Sequence, residues 1–313
     1  MNLMISIYKK SQGNNDAKFN QIAETLPNSW LDITNADSND FREVLKLCPN
    51  LVLEDIDDVL DESEIPRIEK HDDTIVVILR VPERLVGDKN IFTKTFTIII
   101  SPQYFISISP IDTELKKSVF KSNQIYTSQR AKLLISFLSV ISEDYIFNIR
   151  DYTKKFRQQK LSLESVSAKD VGKLIEVEEV LTEYKSILIP LKSICEKINS
   201  GSYIQIHEED MDLLDDMKNN IDQATVSCGS ILEGIKSLRD SYQIVFTNAL
   251  TKKINLLTAL TLIITIPNVI TSFYGMNVPL PMQYHPYMSL IILGISLLAI
   301  SIFIIFVIRR IIG

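Results

Sequence analysis

The string Tyr274-Gly275-Met276-Asn277 closes a long apolar segment and is followed by a ten-residue loop, 278–287, and a second apolar segment. An amide at the mouth of an apolar helix stands where a cation entering a pore would meet it. The segment before it carries a polar seam. Positions spaced alternately by three and four are Thr251, Ile254, Thr258, Thr261, Thr265, Asn268, Ser272 and Gly275, and six of these eight have polar side chains. Elsewhere between 255 and 274 only Asn255 and Thr271 are clearly polar, with Tyr274 at the end. Such spacing keeps one seam on one helix face.

Two readings of the seam compete. Small hydroxyl residues permit close helix packing and hydrogen-bond back to their own helix. Alternatively, polar groups in a bilayer face a bundle interior or a water-filled path. Asn268 favours the second reading, because a mid-span amide is harder to hide than a hydroxyl. A two-helix hairpin cannot enclose a path alone, so the seam implies a closed ring of several copies, its first span inside and its second toward lipid. Magnesium gives up its water reluctantly. A ring of Asn277 carbonyls would accept hydrogen bonds from the water shell of such an ion, and Asn268, Thr265 and Thr261 could repeat the arrangement deeper in. At Ile254, with Leu257 close by, the seam turns apolar, and an apolar constriction can gate by dewetting. Pro267 removes one backbone hydrogen bond beside Asn268. Gly275 is expected to end the helix in the left-handed conformation.

The elements that position this seam are two spans. Residues 256–274 and 288–308 are each long enough to cross a hydrocarbon core and carry no charge. Lys252 and Lys253 precede the first, Arg309 and Arg310 follow the second, and the loop, with three prolines, has no Lys or Arg. By the positive-inside rule both ends are cytoplasmic and the loop faces outward, which suits a plasma-membrane protein. The start, residues 1–10, alternates apolar residues before a basic pair and does not read as a secretory leader. The N-terminal part is therefore expected in the cytosol.

Composition excludes other classes. A net charge of -6 over 313 residues argues against a nucleic-acid partner. Cys48, Cys195 and Cys228 are far apart, as are His71, His207 and His285, so no zinc site or disulfide framework is indicated. No phosphate-binding loop, nucleophile motif or metal-ligand spacing suggests an enzyme.

Residues 1–110 read as a cytoplasmic α+β domain, a mixed sheet with flanking helices. Runs at 4–8, 29–34, 74–81, 92–100 and 104–108 are rich in Ile, Val, Phe and Thr and predict strands. Segments 41–47 and 51–60 predict helices. Residues 111–250 form a long helical region and stalk: 128–161 and 168–198 predict an antiparallel pair, and Asn199-Ser200-Gly201 punctuates its end. From 206 to 266 only Pro-free sequence follows, about 90 Å of helix at 1.5 Å per residue, running into the first span. The remaining division is 251–277 for the stalk end and first transmembrane helix, 278–287 for the external loop, 288–308 for the second transmembrane helix, and 309–313 for the tail. The stalk begins with Glu208, Glu209, Asp210, Asp212, Asp215, Asp216 and, further on, Asp222. A second acidic run is Glu54-Asp55-Ile56-Asp57-Asp58. Most of these carboxylates are solvated surface. A few could pair across a subunit interface and bind divalent cations, whose loss would let the carboxylates repel.

The chain resembles the CorA family of divalent-cation transporters over nearly its full length. The residues that carry the likeness are Tyr274-Gly275-Met276-Asn277 between two C-terminal spans, Ser29-Trp30-Leu31-Asp32-Ile33-Thr34 as a Trp-centred strand, and Leu51-Val52-Leu53-Glu54-Asp55-Ile56 as an acidic helix. The resemblance implies a funnel-shaped homopentamer in a lipid bilayer and passive Mg2+ uptake, with Co2+ and Ni2+ as lesser substrates. It also implies intracellular Mg2+ as a regulatory ligand that holds the pore closed. Gly275, Met276 and Asn277 would form the selectivity filter. Thr251, Ile254, Thr258, Thr261, Thr265, Asn268 and Ser272 would line the pore, and Glu54, Asp55 and Asp216 would bind regulatory Mg2+.

Three departures stand against the family pattern. The loop has no acidic residue, Ser139 replaces a carboxylate of the second regulatory site, and the basic tail is short. A Zn2+ transporter of the same fold and a non-conducting membrane-anchored sensor remain as alternatives.

Overall fold

The computed structural model describes residues 4–10, 19–34, 44, 46–48, 61, 64–84, 91–109, 115–120, 125–158, 168–282 and 284–312. The chain divides into two compact units, Met1–Ser237 and Leu238–Gly313.

The first unit is built on a seven-stranded sheet of order β2-β1-β3-β7-β6-β5-β4. The strands are β1 (Met4–Lys9), β2 (Asn20–Ile22), β3 (Ser29–Thr34), β4 (Arg67–His71), β5 (Thr74–Arg84), β6 (Ile91–Ile100) and β7 (Tyr104–Ser109). Neighbours are antiparallel except β3 and β7, which run parallel, so the sheet is mixed as expected. β3 is buried along its whole length, and the interior strands read as near-continuous apolar runs because both faces are covered. One face carries Leu31, Ile33, Val76, Ile78, Ile99, Ile106 and Ile108, packed with Val44 and Cys48. On the other, Trp30 meets Phe105, Phe120 and Phe137 at ring-centroid distances of 6.4, 5.2 and 5.4 Å.

Two strands escaped the sequence reading, β2 and β4. Both lie at the sheet edges, and their sequences, NQI and RIEKH, are polar. The short polar β2 and the charged β4 resist pairing with another chain and lose the apolar signal that marks a strand. β4 and β5 join through a two-residue turn in which Asp72 takes φ 51, a conformation Asp tolerates.

The helices are α1 (Leu115–Phe120), α2 (Arg130–Gln158), α3 (Ala168–Asn199), α4 (Glu208–Tyr274) and α5 (Met288–Ile312). α2 buries Leu133, Leu134, Phe137, Leu138, Ile141, Tyr145 and Ile149, a three-and-four spacing that places one stripe on the core. The Tyr145 hydroxyl donates to the Arg80 carbonyl at 3.0 Å and its ring meets Tyr184 of α3 edge-on at 4.9 Å. Gly201, at φ 71, turns the chain out of α3. α2 also approaches α4 within this unit: a Cβ on Gly234 would lie 2.9 Å from Cζ of Phe156. The predicted helix at 51–60 and most of that at 41–47 lie outside the described residues.

The second unit holds the last part of α4, the loop and α5. Both helices contain stretches long and apolar enough to cross a membrane. α4 passes through Pro267 without a break and ends at Tyr274.

Candidate functional site

Within the second unit, Thr251, Ile254, Thr258, Thr261, Thr265, Asn268 and Ser272 are all exposed on α4. The less exposed residues of the same span form another series: Ala259, Ile263, Ile266, Pro267, Ile270 and Tyr274. At 3.6 residues per turn the two series lie roughly 160° apart. On α5 the shielded residues are Met288, Ile292, Ser296, Ala299, Ile300 and Phe303, again spaced by threes and fours. These two series mark the shielded side of each helix. The polar seam therefore lies on the opposite, exposed side of α4. The sequence did not reveal the shielded series, because its residues are as apolar as those facing outward.

Three threonines of the seam donate to their own helix. Thr258 Oγ1 donates to the Ile254 carbonyl at 2.9 Å, Thr261 to Leu257 at 3.0 Å and Thr265 to Thr261 at 2.7 Å. This back-bonding belongs to the packing reading of the seam, yet it leaves the hydroxyl lone pairs facing outward as acceptors. Thr271, off the seam, bonds to the Asn268 carbonyl at 3.1 Å. The Asn268 side chain is exposed on the seam itself.

The helix end differs from expectation. Gly275 does not have a positive φ; among the described residues only Gly201 does among glycines, and the left-handed position of this loop is Met282, at φ 63. Gly275 N–H instead donates to the Thr271 and Ser272 carbonyls at 3.0 and 3.2 Å, and Met276 N–H to Phe273 at 3.4 Å. The last turn thus closes with ordinary backbone angles, and a Cβ on Gly275 would meet its own chain only at 3.4 Å or more. Met276 and Asn277 follow, both exposed. The entry to α5 is organised by His285, whose Nδ1 accepts from Tyr287 N–H at 3.3 Å while its carbonyl accepts from Met288 N–H at 3.0 Å.

The acidic residues fare unequally. Asp215 takes Lys218 at 2.9 Å and Asn199 at 3.3 Å, and Asp222 takes Lys192 at 2.8 Å. Asp216 lies in the first unit, exposed, and among the described residues it makes no ion pair. Glu54 and Asp55 lie outside the described residues. Among those described, no group of three or more His, Cys, Asp or Glu could hold a metal ion. Ser139 donates to Glu143 Oε1 at 3.1 Å, one turn along α2.

The Trp-centred strand has a physical basis in a buried polar chain. Trp30 Nε1 donates to Ser107 Oγ at 2.8 Å, Ser107 donates to Asp32 Oδ1 at 2.7 Å, and Lys116 Nζ meets Asp32 Oδ2 at 3.0 Å. β3 and β7 place Asp32 opposite Ser107, so the strand pairing itself builds the link.

Residues 27–310 match the family model described as CorA-like Mg2+ transporter protein. The chain is similar to a cobalt/magnesium transport protein CorA of Methanocaldococcus jannaschii, 21% identical over 294 residues and 90% of each chain. Its fold is similar to the complete structure of the CorA magnesium transporter of that organism, with TM-score 0.76, 20% identity, and 99% and 98% of the two chains covered. It is also similar to the cytoplasmic domain of ZntB from Vibrio parahaemolyticus, with TM-score 0.60 and 15% identity over 79% of this chain and all of that one. With the match running through both the sheet unit and the two apolar helices, the chain belongs to the CorA-like Mg2+ transporter proteins, a family of membrane transporters and not of enzymes.

Proposed function

We propose that this chain forms a passive uptake channel for hydrated Mg2+, with Co2+ and Ni2+ as lesser substrates, in the plasma membrane. Copies assemble as a homopentamer with both termini cytoplasmic. The first span lines the path with Thr251, Ile254, Thr258, Thr261, Thr265, Asn268 and Ser272, and Gly275, Met276 and Asn277 form the outer filter. The observation that carries this reading is the exposure of the seam: its polar side chains lie on the face of α4 opposite the shielded series.

A hydrated Mg2+ presents water hydrogens outward, and acceptors suit that surface. Amide oxygens at Asn277 and Asn268 and the hydroxyl oxygens between them supply acceptors at successive turns. The membrane potential drives the ion inward at about 2.3 kcal/mol per charge per 100 mV. Closure follows when intracellular Mg2+ binds between copies at Asp216 with Glu54 and Asp55 of a neighbour. The free, exposed carboxylate of Asp216 supports this role, since its neighbours Asp215 and Asp222 already hold lysines within the chain.

The test is ion uptake into proteoliposomes, with Mg2+ and Zn2+ offered separately. The native chain should pass Mg2+, and Asn277→Ala should lose most of the flux. Preferential Zn2+ entry would select the zinc alternative, and entry of neither ion would leave a non-conducting sensor.

A further inference from the structure

Arg150, Lys154 and Arg157 stand on one face of α2, spaced by four and three residues, and line a cavity of about 370 Å3. Thr153 of the same helix and Ser227 of α4 complete its described lining, which includes no carboxylate. All three cationic residues are exposed, and none pairs with a carboxylate among the described residues. Their neighbours behave differently. Lys155, the next residue, pairs with Asp151 at 2.5 Å, and on the other helices Lys192 and Lys218 are taken by Asp222 and Asp215.

Three unpaired cations at this spacing repel one another, in a chain whose net charge is -6. Their grouping costs the helix something unless an anion offsets it. Two planar guanidinium forks flanking an ammonium match the oxygens of a phosphate group, which Arg binds bidentately. Thr153 donates to the Ile149 carbonyl at 2.7 Å, and its contact with Ser227 Oγ is long, at 3.4 Å. The Ser227 hydroxyl can therefore turn to a ligand at little cost. A cleft of this volume sits at the small end of ligand sites and admits one or two phosphate groups.

We propose that this cleft binds a phosphate-bearing anion that bridges α2 to α4, held by Arg150, Lys154 and Arg157 with Ser227 closing it. Such a ligand would pin α4 at its Ser227 turn, on the helix that continues into the first span. The site takes its ligand independently of which cation is transported.

The same chemistry is offered by a soluble phosphate and by an anionic lipid headgroup, and calorimetry on the full chain in neutral detergent, free of divalent ions, separates them. Inorganic pyrophosphate and a short-chain phosphatidylglycerol serve as the two probes. One of them should bind once per chain, more weakly as salt rises. The Arg150→Gln/Arg157→Gln variant should weaken it by at least about tenfold, while Lys155→Gln leaves it unchanged. Tighter pyrophosphate binding assigns a soluble ligand, and tighter lipid binding assigns a headgroup. Should the double variant fail to fold, Lys154→Gln alone must weaken binding in the same direction. The proposal is overturned if the native chain binds neither probe, if Lys155→Gln weakens binding as much as the double variant, or if a glutamate-rich peptide outcompetes both.

Discussion

Asn268 and Thr271 sit three residues apart on one helix, yet only Asn268 is on the seam. That difference separates lining from mere polarity. Asn268→Leu removes an amide from the proposed path and should cut Mg2+ flux in proteoliposomes by at least about tenfold, because it places a dewetting surface mid-span. Thr271→Val should leave flux near native, since Thr271 lies off the seam. Equal losses in both variants would remove the seam from the mechanism. The same scale governs Asp32, which joins Ser107 and Lys116 in the buried polar chain. Asp32→Ala removes the carboxylate that Ser107 and Lys116 share, and should cost about 3 kcal/mol in chemical unfolding. Much of the seam was legible from residue types, because a polar side chain inside an apolar run is costly and stands out. The link of Ser107 and Lys116 to Asp32 was not, because nothing in the local sequence says that a parallel strand pairing brings Ser107, and helix α1 brings Lys116, to that carboxylate.

Among the elements, the interior strands announced themselves through Ile, Val and Phe, while β2 and β4 were silent. Edge strands need no second apolar face, so period and composition both fail there. α4 was legible from its long proline-free stretch, 206–266, and it continues through Pro267 to Tyr274, as α3 continues through Pro190. The glycine at the end of the first span was misread: a left-handed residue was expected at Gly275, and the chain places one at Met282 instead. Helix contacts were also unreadable. Gly234 admits the Phe156 ring to the surface of α4 at a distance a Cβ could not tolerate. Gly234→Ala should therefore crowd the Phe156 ring at a cost of about 1–3 kcal/mol, offset in part by about 1 kcal/mol of alanine helix propensity. Adding Phe156→Leu should recover much of that loss, and a thermal-melt double-mutant cycle measures the coupling.

Over the whole molecule, thiols and carboxylates report assembly. Cys48, Cys195 and Cys228 are all buried. Burial pushes the Cys195 thiol up to about 12 and that of Cys228 to about 11. Both stay protonated at pH 8, so maleimide should label the folded chain slowly and all three cysteines fast in denaturant; rapid labelling of the native chain would contradict the packing of α3 and α4. The acidic start of α4 acts at the same scale. Asp216→Asn removes the exposed carboxylate proposed to share Mg2+ with a neighbouring copy, and inhibition by internal Mg2+ should then need several-fold more ion. Unchanged inhibition would reject Asp216 as a sensor. The first-unit carboxylates could be nominated from sequence, but the partners proposed for Asp216 lie on another copy, which a single chain does not display.

The threonine protons of the first span have a further consequence. Thr258, Thr261 and Thr265 each commit the hydroxyl proton to a backbone carbonyl one turn back. Hopping of protons along a row of hydroxyls requires each group to release one proton as it receives the next. At three successive turns that exchange would break a bond within the helix, so this row is a poor proton wire. Toward water these hydroxyls therefore act as acceptors alone, and they offer the shell of a passing cation oxygen lone pairs without handing it a proton.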